Sequence, residues 1–379
     1  MSAEAGATID SKQLGAADVS TTSADSRAKE MAATASATNS SSSILSDMKK
    51  VFHDTKVDGK SVWTVSMETL TMADGGKWKK NDRIAHTEPE ALEIMHEMIR
   101  QAKEKCKKND DKERWDMPWT PLKEFNATVD DILISFCKWA KVDVDDEHGK
   151  KEASESGVDA AVVHSVMNVT KAFHRLESYV NWMHDHRDKL KEPLTVESLR
   201  PASKYLGMKL SYDKQGCLVW WCDLKDMDLE AIRTRKLSVL EFLRFFVWAM
   251  HLIVLDKQAQ ENGMLIVEDI RKMSFWACMT TFPMEVNTAL DRMTIGCLPI
   301  KMKACYVMNA ATWLHVMMNI MKPFMSKKMR QRIIIIHKNQ NAQEIISDVL
   351  GGPEFILNGC CGLTGSLEKE IVFGEYFTG

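Results

Sequence analysis

Apolar positions give the two halves of this chain different periods. Val162, Val166, Val169, Phe173, Leu176, Val180 and Met183 recur at spacings that alternate between four and three, which puts them in one stripe on one face of a helix. A stripe of that length must pack on other helices. Residues 88–107 and 126–141 also read as helices, the second with Val129, Ile132, Leu133 and Phe136 on one side. The first half is therefore expected to hold a small all-helical domain; the stretch 46–85 ahead of it is ambiguous, with 62–65 able to form a short strand. After Pro193 the pattern changes. Segments 217–221, 264–267, 303–308 and 332–336 read as strands, separated by helical stretches near 235–260, 280–292, 311–330 and 341–349. Such alternation predicts an α/β layer structure with a mostly parallel sheet flanked by helices. The run Ile333 to Ile336 is apolar on both faces, as a buried strand requires.

One stretch, 237–255, has the look of a membrane span. It contains Glu241, Arg244 and His251, and insertion would bury all three at high cost. It reads as a buried helix of a water-soluble domain, and no transmembrane helix is expected.

Composition narrows the classes. Of 379 residues, 45% are hydrophobic, enough for a substantial core. Residues 1–45 are rich in Ala, Ser and Thr and are expected to be a disordered tail. Recurring acids there argue against an organelle transit peptide, and the lack of an apolar core in the first forty residues argues against a signal peptide. Nine cysteines without a CxxC read as reduced thiols, hence a cytoplasmic protein. Fifty basic residues against 53 acidic ones give a net charge of -3, which excludes a globally basic nucleic-acid binder.

The search for catalytic chemistry is negative. GxGxxG, phosphate-loop and GxSxG patterns are absent. His184 and His186 lie two apart on a helix and diverge. His337 has no paired nucleophile, and Cys222 after Trp220 and Trp221 reads as packing. The acidic segment 143–156 fails as a calcium loop, since Gly149 falls at position seven and Ser154 at position twelve. No enzyme activity, cofactor or metal is expected.

Charge is uneven, however. Between Arg292 and Gln343 there is no Asp or Glu, and nine basic residues are concentrated there. Within that window, 313–325 is Met-rich and aromatic. It suits either an anionic membrane surface or a core helix with basic ends.

Three blocks stand out in this half, Leu298 to Asn309, Met321 to Ile333 and Gly263 to Ile270, and together they resemble the CRAL-TRIO, or Sec14-like, family. Residues 298–309, from Leu298 and Pro299 through Lys301 and Lys303 to Asn309, are similar to its strand that begins with Pro and a basic pair and ends in Asn. Residues 321–333, with Lys322, Pro323, Phe324 and Lys328, resemble its "IKPFL-x-x-K" segment. Residues 263–270 resemble its strand that ends in an acidic residue before a turn. The likeness covers about 195–360, and Tyr179–Trp182 lies in a helix similar to the family's N-terminal domain. This chain departs from the pattern at Ala310, Ala311 and Thr312, at 213–216 and at 350–354.

The resemblance implies the domains 1–45 (tail), 46–192 (N-terminal region with the helical domain and the 143–156 insertion), 193–362 (lipid-binding domain) and 363–379 (tail). It implies a lipid cavity closed by a helical gate at about 312–329. Strand alternation and helix facing point to Val219, Trp221, Phe245, Met250, Phe282, Trp313, Met317 and Phe324 as its wall. By the same resemblance Lys301, Lys303, Lys328 and Arg332 form a headgroup-binding basic patch. The function implied is that of a monomeric lipid-transfer protein. It would enclose one hydrophobic small molecule or phospholipid and exchange it during transient contact with anionic, phosphoinositide-containing membranes. A scaffold that keeps the fold without carrying lipid is the alternative.

Overall fold

A computed structural model describes residues 82–108, 124–143 and 165–368, with short breaks between 272 and 283 and at 326, together with 56–57, 60–61 and 114–115. The tail 1–45, the strand expected at 62–65 and most of the 143–156 segment lie outside the described residues.

The first part pairs helices with short strands. A two-residue pair, β1 (Lys56–Val57) and β2 (Lys60–Ser61), is antiparallel. β3 (Ile84–Ala85), β4 (Lys141–Asp143) and β5 (Ser165–Asn168) form a second antiparallel sheet in the order β3-β5-β4. With them pack α1 (Glu88–Lys108), α2 (Val129–Trp139) and α3 (Val169–Asp185). The all-helical expectation is thereby corrected. Val166 pairs with Val142 in a strand, and the helix starts only at Val169, where Asn168 caps it by accepting from the Lys171 amide at 2.8 Å. The period-four-and-three spacing ran through this boundary because strand and helix bury the same core face. Within α3, Phe173, Leu176, Val180 and Met183 are buried as the stripe predicts.

The second part is the predicted layered sheet. β6 (Lys209–Tyr212), β7 (Leu218–Asp223), β8 (Met264–Asp269), β9 (Met302–Met308) and β10 (Ile333–Ile336) lie in the order β10-β9-β8-β7-β6. All four expected strands share this sheet and run parallel; only β6, an edge strand absent from the expectation, is antiparallel. Helices α4 (Val196–Leu206), α5 (Val239–Leu255), α6 (Met284–Asp291), α7 (Thr312–Met321), α8 (Lys327–Arg332) and α9 (Ala342–Leu350) connect and cover it.

The three polar residues of α5 each have a partner. Glu241 completes a capping box with Ser238, at 2.9 and 3.1 Å. Arg244 donates to the Pro193 carbonyl at 3.0 Å, and His251 bonds to Tyr179 of α3. No helix of the described residues is long and apolar enough to cross a membrane. Arg175 of α3 fastens the two parts together. It donates to the carbonyls of Ile295 at 2.7 Å and Leu298 at 2.6 and 3.0 Å, with its guanidinium over the Trp139 ring.

Candidate functional site

Strand alternation divides the sheet into two faces of different character. On one face Val219, Trp221, Val267, Met308 and Ile336 close tightly on Ile346 and Leu350 of α9 and on the turn around Cys360. Trp221 is fully buried there, and its indole N–H donates to Ser211 Oγ at 2.8 Å. On the other face Trp220, Cys222, Ile266, Glu268, Cys305, Ile333 and Ile335 are only half-buried. Two separate apolar clusters meet that face. One holds Leu218, Met264 and α5; the other holds Val307, Ile270 and Met273, with Trp313 and Leu314 of α7 packed against it.

Helix α7 is unusually loosely held for its composition. Trp313, Leu314, Val316, Met317, Met318 and Ile320 are all half-buried, and no described residue of the helix is fully buried. Two specific contacts anchor its first turn. Trp313 Nε1 donates to the Met273 carbonyl at 3.1 Å, and His315 stacks on His337, beyond the end of β10, with ring centroids 4.9 Å apart and planes 4° from parallel. Burial lowers the His315 pKa, and the charges of His337 and Lys322 lower it further.

The expected wall residues divide accordingly. Trp313 and Met317 lie on α7. Val219 and Trp221 face α9 instead, because β7 begins its alternation so that Trp220 and Cys222 point to the α7 side. Phe245 and Met250 are buried in the cluster of α5, while Phe242 and Phe246 lie beside each other and Phe246 meets the Trp220 ring at 5.6 Å. Phe282 and the Phe324 side chain lie outside the described residues. Sequence reasoning missed Trp220, Cys222, Cys305 and Glu268 as facing this side. The signal for Glu268 was present: an acid directly after the apolar run Met264 to Val267.

The basic residues lie at the N-terminal ends of the strands. A bulge between Met264 and Leu265 of β8 leaves Lys303 of β9 without a partner, which breaks the alternation expected of Lys301 and Lys303. Gly263 (φ 82°) brings them together all the same. A Cβ there would lie 3.4 Å from both Lys301 Cβ and Lys303 Cγ, and 2.6 Å from the Lys301 carbonyl, so only glycine fits. Lys303 is exposed, with Nζ 3.0 Å from Cys217 Sγ. Lys328 is exposed on α8 and its charge helps lower the pKa of Lys171 on α3. Arg332 is half-buried one residue before the Ile333–Cys305 pair, and burial lowers its pKa.

Other polar clusters do structural work. Asp223 Oδ1 and Oδ2 accept from the amides of Lys225 at 2.9 Å and Cys361 at 2.7 Å, and Asp269 holds Arg271. Asp223, Cys360 and Cys361 converge within 4.8 Å. The Asp223 carboxylate is already committed to those two amides, and the contact with Cys360 Sγ, with burial behind it, drives the Cys361 thiol far from its thiolate form. A separate cavity of about 160 Å³, lined by Phe125, Leu210, Leu218 and Leu252, lies beside Asp256 and is too small for a lipid chain.

Comparison with known proteins agrees with this architecture. Residues 202–350 match the CRAL/TRIO domain. Clavesin-1 of Xenopus laevis is 24% identical over 105 residues, 28% of this chain and 31% of that one. Clavesin-2 of Homo sapiens is 20% identical over 123 residues, 31% of this chain and 37% of that one. The chain thus spans about a third of the length of the curated relatives it matches. A solved chain described as "Crystal structure of Sfh5" is similar at 15% identity and a TM-score of 0.40, covering 77% of this chain and 95% of that one. With the mostly parallel sheet, the flanking helices and the matched segment from α4 to α9, this part of the chain, residues 202–350, is a CRAL/TRIO domain.

Proposed function

We propose that this protein binds one lipophilic molecule between α7 and the half-buried sheet face, and that α7 acts as the gate. The observation that carries the reading is the burial of α7. Six apolar residues of one helix, Trp313, Leu314, Val316, Met317, Met318 and Ile320, stay half-buried over a sheet face that is itself half-buried. Two apolar surfaces left incompletely closed on each other suit an apolar ligand between them, and a lightly held helix suits a lid. The basic residues Lys301, Lys303, Lys328 and Arg332 support exchange at an anionic, phosphoinositide-bearing surface. Cytoplasmic location with transient membrane contact fits the same reading, and so does action as a monomer without enzymatic chemistry. Native mass spectrometry with organic extraction tests it. A lipophile present in one-to-one ratio is the expected result. A protein that purifies empty and takes up no lipid from vesicles would defeat the reading and leave a scaffold role.

A further inference from the structure

One of the two contacts that anchor α7 is made by a histidine, His315. Its ring lies flat against that of His337, the residue that follows β10, with centroids 4.9 Å apart and planes 4° from parallel. His337 is held from behind. Its amide donates to Gln340 Oε1 at 2.8 Å and its carbonyl accepts from the Gln340 amide at 2.9 Å, so the turn 337–340 offers a fixed ring to a lightly held helix. His315 is half-buried and His337 exposed, so protons reach the pair. Neutral imidazoles can stack in this way, whereas two imidazolium rings at that distance repel, by an amount that the surroundings decide.

Those surroundings are one-sided. α7 is followed by Lys322, the turn after β10 contributes Lys338, and α8, which leads into β10, contributes Lys327, Lys328, Arg330 and Arg332. None of these elements contains an acid. The first acid after the turn, Glu344 of α9, accepts from Asn341 Nδ2 at 3.3 Å. The sheet face beneath α7 holds Cys222, Cys305 and Glu268, but the groups that act on His315 are His337 and Lys322. His96 shows the contrast, with the Asp130 carboxylate 2.8 Å from its Nε2.

We propose that His315 and His337 form a proton-operated latch on α7, closed while the two rings are neutral and open when both are charged. This rests on the reading of α7 as a gate and deepens it by naming what releases the helix. Burial, then the charges of His337 and Lys322, lower the His315 pKa, so the stack holds α7 at neutral pH and its contribution is lost as pH falls below the ordinary histidine value. An anionic membrane eases the release. A surface potential of about −30 to −50 mV lowers the pH at the surface by roughly 0.5–0.8 unit, so α7 opens at a higher bulk pH there than in solution.

The test is amide hydrogen exchange of the full chain between pH 7.5 and 5, with β7 and β8 as the reference for overall stability. Protection of 312–321 relative to those strands should fall about tenfold across that range. The double variant His315→Phe/His337→Phe keeps two rings that take up no proton, and its α7 should stay protected throughout. His337→Lys sets a fixed charge against His315 and should loosen α7 at pH 7.5 more than His337→Gln, which removes the ring without adding the charge. A flat profile in wild type, or an equal fall in the double Phe variant, would overturn the latch. Transfer of a pyrene-labelled lipid between anionic vesicles, followed in parallel, separates this inference from the gate reading. A transfer rate that rises as protection falls supports both. Protection that falls while transfer stays constant keeps the latch and removes α7 as the gate.

Discussion

Tyr179 of α3 and His251 of α5 meet through a 2.6 Å hydrogen bond in the fully buried interior. His251 Nδ1 donates to the Val247 carbonyl at 2.7 Å, so its Nε2 accepts and the Tyr179 hydroxyl donates. The pair joins the N-terminal helices to the longest helix of the CRAL/TRIO domain. It also fixes the neutral imidazole, because burial lowers its pKa to about 4.

That depression gives a pH signature. The unfolded chain takes up this proton below its ordinary value of about 6.5 while the folded one resists until about 4. Stability from this group is therefore complete above 6.5 and is lost as pH falls toward 4. Glu268, raised to about 7 by burial and then by the Asp269 charge, acts in the opposite sense over the same window. Comparison of wild type with His251→Gln by urea denaturation removes it from the difference. Between pH 7.5 and 4.5 wild type should lose about 2–3 kcal/mol more than the variant. Parallel pH curves would show that His251 is not held neutral.

Arg175→Met should destabilise strongly. The side chain is buried, and its loss leaves the Leu298 and Ile295 carbonyls without their donor. Each orphaned acceptor costs ~1–3 kcal/mol, and Met replaces only the packing over Trp139. The expected loss is about 2–4 kcal/mol by chemical denaturation, with Arg175→Lys recovering part of it. A midpoint within error of wild type would mean that the joint between α3 and the turn at 295–298 contributes nothing.

The sheet was legible because its strands are short apolar runs bounded by turns, and a run such as Ile333 to Ile336 has few other folds open to it. What periodicity could not read was where one period hands over to another. Val166 and Val169 fit one helical stripe, but Ser165–Asn168 is a strand whose partners, Lys141–Asp143 and Ile84–Ala85, are far away in sequence. Face assignment failed on β7 for a related reason. Val219, Trp220, Trp221 and Cys222 are all tolerably apolar, so nothing local says which alternate set meets α7. The bulge at Lys303 is equally invisible, since it arises from how β8 and β9 align.

Trp313→Ala should loosen α7 selectively. The indole holds the first turn by its hydrogen bond to Met273 and by packing on the Val307 cluster. Loss of both should make amide hydrogen exchange in 312–321 roughly tenfold faster while β7 and β8 stay protected. Transfer of a pyrene-labelled lipid between vesicles should accelerate in parallel. Unchanged exchange in that helix would show that Trp313 does not hold it down.

Membrane attraction should depend on the basic residues unequally. Each basic residue near an anionic surface contributes ~1 kcal/mol, less at physiological salt. Lys328 is exposed, with Lys171 close enough to add its field. Lys301 and Lys303 share the corner at Gly263, but Glu261 nearby offsets part of the Lys301 charge. Arg332 and Lys301 are half-buried, so their removal risks the fold as well as the charge. The double change of Lys303 and Lys328 to Ala is therefore the cleaner test. It should weaken binding to phosphoinositide-containing vesicles by about 2 kcal/mol at low salt, shrinking as salt rises. Folding stability should change little, since exposed charges contribute little to it. Co-sedimentation with anionic and neutral vesicles, with extraction of bound lipid in parallel, separates delivery from loading. Weaker binding to anionic vesicles with loading unchanged would assign the patch to the membrane encounter. Equal binding of the two proteins to anionic vesicles at low salt would exclude it from that role.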